Sequence, residues 1–97
     1  MPKAYWIAHA EVSDPKVYEQ YKAANAAPFK EFGARFVVRG GAQEVREGAA
    51  KSRTVVIEFP SLEAAQACYD SPGYQAALAI RNPISEADLV IVEGYEA

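Results

Sequence analysis

Three groups of residues in this chain have types and spacings that suit chemistry. His9, the single histidine, is followed two residues later by Glu11 in the alternating run AYWIAHAEV. On a strand these side chains share one face, so an imidazole base and a carboxylate that orients it would stand side by side, with His9 the candidate catalytic residue. The other reading is a hydrogen-bonded histidine on a polar sheet face. The second group is Arg39, placed immediately before Gly40-Gly41 at the end of ARFVVRGG. Arg39 is either a structural partner of Glu58 or, where the glycines bend the strand, an anion clamp at the sheet edge. The third group, Asn25, Tyr69, Tyr74 and Arg81, belongs to helical segments interrupted by proline. Helix breaks leave unpaired backbone groups and open a crevice against a sheet. An amide, two phenols and a guanidinium around an apolar floor that includes Trp6 would bind a flat, anionic or carbonyl-bearing molecule. Taken singly, each has a structural use: Asn25 as a helix cap, the tyrosines as core, Arg81 as a cation at a helix C-terminus.

Other chemistry is narrowed by what the sequence lacks. One histidine cannot make a multi-histidine metal site within a subunit, and Glu11, Glu58 and Glu93 read as ion-pair partners before metal ligands. Cys68, the only cysteine, excludes an internal disulfide and a thiolate cluster, and its apolar neighbours mark it as a small buried hydrophobe. The two glycines lack the spacing and following helix of a phosphate loop. No metal and no cofactor is therefore expected. Ten basic and thirteen acidic residues give a net charge of -3 without a basic cluster, which argues against nucleic acid as a partner. No apolar run approaches membrane-spanning length and the start does not resemble a signal peptide. The expectation is a cytoplasmic protein that binds no membrane.

The elements that must position these residues follow from periodicity. With 97 residues, 51% of them hydrophobic, the chain (1–97) is expected to fold as a single domain around one core. Residues 4–12 alternate as a first strand. Asp14-Pro15 opens a helix with the stripe Val17, Tyr18, Tyr21 and Ala24; Pro28 should kink it or restart it from Asn25, and Gly33 should close it. ARFVVRG is the second strand, with Phe36 and Val38 on one face and Arg35, Val37 and Arg39 on the other. A long connection follows, with room for a glycine bulge. RTVVIEF is the third strand, Val55, Ile57 and Phe59 facing one way. Pro60-Ser61 starts a second helix, which Ser71-Pro72-Gly73 breaks and restarts and Asn82-Pro83 ends. DLVIVEGY is the fourth strand, with Val90 and Val92 turned under the helices and Leu89 and Ile91 away from them. The order β-α-β-β-α-β is the split pattern of an α+β, ferredoxin-like sandwich with both helical layers on one face of the sheet.

The face away from the helices then holds Tyr5, Ile7, Val37, Val56, Leu89 and Ile91, each forgoing roughly 1.5–3 kcal/mol of burial if left in water. That is too much apolar surface for a solvated sheet, and a second copy packed face to face would cover it. The segments YWIAHAEVSDP, YKAANAAPF, ARFVVRGG, VVIEFPS, YDSPGYQ and DLVIVEGY, in order and spacing, resemble the bacterial family catalogued as domain of unknown function 1330, within the dimeric α+β barrel superfamily. The resemblance implies a homodimer whose two sheets form a barrel. The superfamily includes cofactor-independent monooxygenases, lactone isomerases, haem enzymes and ligand-sensing domains, so it leaves the chemistry open. The reading that results is a homodimeric small-molecule-binding protein with a pocket between broken helices and sheet. The alternative is a cofactor-independent monooxygenase or isomerase acting on a small cyclic or carbonyl substrate.

Overall fold

A computed structural model describes residues 2–96. Strand β1 (Ala4–Val12) leads into helix α1 (Pro15–Glu31), then β2 (Arg35–Arg39), β3 (Arg53–Phe59), α2 (Leu62–Asp70), α3 (Pro72–Arg81), a 3₁₀ turn over Asn82–Ile84, and β4 (Ser85–Glu93). The four strands form one antiparallel sheet in the order β2-β3-β1-β4. The β-α-β-β-α-β order expected from the sequence is the one observed, with the second helical layer split in two.

Local chemistry sets the boundaries. Asp14 Oδ1 accepts from the Lys16 and Val17 amides at 3.1 and 3.2 Å, capping α1 ahead of Pro15, which satisfies donors that otherwise lack partners in a first turn. Ser71 closes α2 and opens α3, its hydroxyl donating to the Cys68 carbonyl at 2.7 Å and accepting from the Tyr74 amide at 3.2 Å. Helix α1 does not restart at Asn25: it continues as one helix through Pro28 to Glu31. An interior proline costs a helix about 3 kcal/mol, and here Pro28 and Phe29 are both buried, Pro28 against Gly73 and Phe29 edge-on to Trp6. Their packing offsets the lost hydrogen bond. Gly33, at φ +73°, turns the chain out of the helix.

Trp6 is the centre of the core. Its Nε1 donates to the Ala65 carbonyl at 3.0 Å, and Phe29, Phe59, Tyr69 and Tyr74 surround it at ring separations of 4.8–5.7 Å. Edge-to-face contacts of this kind add about 0.5–1.5 kcal/mol each to the area they bury.

Two of the expected strand phases are reversed. In β4, Leu89 and Ile91 stand opposite Ala8 and Trp6 and pack on the core, while Val90 and Val92 stand opposite Ile7 and Tyr5 on the open face. In β2 the register shifts between Phe36 and Val38, so Val37 and Val38 both face Val56 across one step of β3. This bulge lies before Gly40, not beyond it. One extra residue flips every later side chain to the other face, so Arg39, opposite Val55, points under the helices instead of lying beside Arg35.

Candidate functional site

Under α1 and the end of α3, the covered face of the sheet does not close completely. Its cleft is lined by Trp6, Ala8 and Ala10 of β1, Tyr18, Tyr21, Lys22 and Asn25 of α1, Phe36 and Arg39 of β2, Arg53, Val55 and Ile57 of β3, Arg81 of α3 and Leu89 of β4. The small side chains of Ala8 and Ala10 leave this room above β1. The space open to water is about 40 Å³, enough for about three waters at roughly 10–15 Å³ each. That is a narrow slot suited to the head of a small molecule.

The polar groups are graded from floor to mouth. Asn25 and Arg81 are the buried polar residues among those described, 3% and 7% exposed. Arg53 is half-buried and Arg39 exposed. Each guanidinium lies over an aromatic ring: Arg39 over Phe36 at 4.2 Å, Arg53 over Tyr18 at 5.1 Å and Arg81 over Tyr21 at 5.3 Å. A ring face attracts a cation without using its N–H groups. Arg53 Nε also donates to the Tyr18 hydroxyl at 3.2 Å, whereas Arg81 Nε is buried with no hydrogen-bond partner. None of these three arginines makes an ion pair among the described residues, and no carboxylate lines the cleft. Lys22 is paired with Glu19 at 3.0 Å.

Beneath the cleft the Tyr21 and Tyr74 hydroxyls are 2.9 Å apart. Burial pushes both phenols above their ordinary range, for Tyr74 aided by Tyr21 and opposed by Arg81. They are therefore protonated donors at neutral pH. Neither they nor the arginines, lysine and amide around them can take up a proton there.

Of the residues singled out in the sequence, Trp6, Asn25, Arg39 and Arg81 meet at this cleft. Tyr74 lies behind its wall, against Tyr21 and Trp6, and Tyr69 packs on Trp6 and Tyr74 outside it. His9 is on the opposite face of the sheet, its Nδ1 3.1 Å from Thr54 Oγ1, which donates to Gln43 Oε1 at 2.5 Å. There Glu11 accepts from the Ser52 amide and hydroxyl at 2.6 and 2.8 Å, so it does not orient the imidazole. Sequence reasoning missed Tyr18 and Tyr21 as cleft residues, Lys22, and above all Arg53. Counting back by two from Ile57 and Val55 puts Arg53 on the covered face, and that parity was the available signal.

The cleft sits in a chain whose residues 3–95 match the sequence profile of a family described as Domain of unknown function (DUF1330). This chain belongs to the DUF1330 family. No curated protein matches it. Among solved structures, this DUF1330 chain is similar to a protein of unknown function from Rhodopseudomonas palustris, with a TM-score of 0.77 at 15% identity over 99% of this chain and 85% of that one. It is similar to SnoaB, a cofactor-independent oxygenase from Streptomyces nogalater, with a TM-score of 0.67 at 15% identity over 100% and 97% of the two chains. A dimeric ferredoxin-like protein of unknown function from Thermobifida fusca gives 0.65 at 22% identity over 96% and 92%. At these identities the likeness is one of fold, and it places the DUF1330 chain among ferredoxin-like α+β proteins. No helix among the described residues is long and apolar enough to cross a membrane.

Proposed function

We propose that this protein is a homodimeric small-molecule-binding protein whose ligand enters the cleft between α1, α3 and the sheet. The observation that carries the reading is the convergence of two buried polar side chains, Asn25 and Arg81, on an apolar slot where Arg81 Nε has no protein partner. A buried donor without an acceptor costs about 1–3 kcal/mol, more when charged, so its retention points to a partner from outside the chain. The homodimer is supported by the open sheet face, where Val37, Val38, Val90 and Val92 are 49%, 37%, 56% and 41% exposed, and by the description of structural neighbours as dimeric. The second reading, catalysis without a cofactor, has in its favour the SnoaB likeness. Against it, the cleft offers donors and cations and no proton acceptor, and His9 points elsewhere.

A thermal-shift screen of small metabolites against wild type and Ala8→Leu tests the binding reading. Leucine at the apolar floor should fill the slot and abolish the shifts given by ligands while the variant still melts cooperatively. Hits that survive Ala8→Leu, or a screen without hits, would refute the cleft as the binding site.

A further inference from the structure

We infer that the ligand is a small organic anion whose planar acid group is seated inward on Arg81, with Arg53 and Arg39 drawing it in and closing over its outer end. The inference rests on the binding reading above and decides between the anionic and carbonyl-bearing ligands that it admits. A neutral carbonyl needs one or two donors. Three guanidiniums around one slot, with no carboxylate in its wall among the described residues, leave an excess of positive charge that a bound anion would neutralise.

The choice of arginine agrees with a planar acid. A guanidinium stacked on a ring keeps its N–H edge free for a carboxylate-like pair of oxygens, whereas an ammonium offers only a point charge. All three guanidiniums lie over rings, although Arg53 also uses its Nε–H on the Tyr18 hydroxyl. Depth sets the roles. Arg81, in the last turn of α3, tolerates burial because the carbonyl end of the helix favours a cation; it is the most buried of the three arginines and its Nε–H has no partner. Arg39 enters from the edge strand β2 and Arg53 from its inner neighbour β3, Arg39 only because the Val37–Val38 bulge turns it inward. A slot open to about three waters at its floor admits an acid head, and the apolar strip of Ala8, Val55, Ile57 and Leu89 takes a hydrocarbon body.

Trp6, the only tryptophan, lines the cleft and reports occupancy by its emission. Acetate and benzoate should change that emission saturably in the full-length protein, and acetamide and benzamide, which match them in shape without the charge, should bind at least about tenfold more weakly. Arg81→Met should weaken benzoate roughly 10- to 100-fold, with smaller losses for Arg53→Met and Arg39→Met and none for Arg35→Met on the open face. Arg81→Lys keeps the charge but not the Nε–H. It should bind benzoate more weakly than wild type, and it serves should the Met variant not fold. Equal binding of benzamide and benzoate, or an unchanged affinity in the arginine variants, would overturn the anion while leaving the binding cleft intact. Failure of both acids alongside neutral hits lost in Ala8→Leu would do the same.

Discussion

The two faces of the sheet treat their charged side chains in opposite ways. On the open face most charges on or beside the strands have a protein partner: Glu58 holds Lys3 at 3.1 Å and Arg35 at 3.0 Å, Lys51 pairs with Asp88, and Glu11 binds the Ser52 amide and hydroxyl. On the covered face Arg39, Arg53 and Arg81 have aromatic rings but no carboxylate. Pairing is the cheaper arrangement wherever two charges share a surface. Its absence under the helices is what the proposed ligand would answer. The apolar groups show the reverse contrast, because the valines of the open face lack cover and the core under the helices has it.

The largest effect should come from charging the uncovered valines. Val90→Glu would place a carboxylate without a partner in the proposed dimer interface, at a cost of about 3–5 kcal/mol per protomer, or roughly 10,000-fold or more in dissociation for the two copies together. Sedimentation at micromolar concentration should give twice the 10.6 kDa chain mass for wild type and the single chain mass for the variant. Ile91→Glu, one residue along, should act differently, lowering the melting temperature of each protomer because Ile91 packs on the core. A wild-type monomer would remove the dimer and leave the valine face unexplained.

A smaller effect should follow at Gly40, which couples the edge of the sheet to the cleft. Its φ is +69°, and a Cβ there would come within 2.2 Å of the Arg53 guanidinium. Gly40→Ala should cost about 1–2 kcal/mol for the left-handed backbone and push Arg53 off Tyr18. The loss of stability is read by thermal melting and the loss of benzoate binding by Trp6 emission. A variant that loses stability but keeps benzoate affinity would show that Arg53 has no part in the cleft.

How much of this was legible in the sequence depends on whether alternation was clean. β1 and β3 alternate without ambiguity, and their facing residues, Trp6 with Ile57 and Ala8 with Val55, are those that the pattern pairs. In LVIV of β4 both phases are apolar, so composition could not choose, and the packing of Leu89 and Ile91 against the core chose instead. In FVVR nothing in the residue types announces the bulge, and counting straight through Val37 put Arg39 on the wrong face. Arg53 was overlooked for a different reason: at the first position of β3, a charge is expected to be a strand end in water. Pro28 was given its ordinary helix-breaking weight, which the burial of Phe29 outweighs. The candidate site was thus half legible, through Trp6, Asn25 and Arg81, and its other half depended on long-range register.

The smallest effect concerns Glu58, the best-partnered charge of the open face. The hydrogen bond from Lys3, then the hydrogen bond and charge of Arg35, hold its carboxyl below the ordinary value of 4.5. A carboxyl whose folded pKa is depressed adds stability above its unfolded pKa and loses it as pH falls through the folded one. Glu58 should therefore contribute nothing to the pH dependence between neutrality and about pH 5, then a shallow loss below 4.5. Glu58→Gln should flatten that acid limb slightly and leave the neutral melting temperature almost unchanged, since exposed ion pairs are weak. It should also leave benzoate binding untouched, because Glu58 and the arginines of the cleft lie on opposite sides of the sheet. A marked destabilisation of Glu58→Gln at neutral pH, matched by loss of the dimer in sedimentation, would instead place Lys3, Arg35 and Glu58 inside the interface, desolvated by the second copy. The contrast between the faces would then be one between a charge network completed by a partner chain and one completed by a ligand.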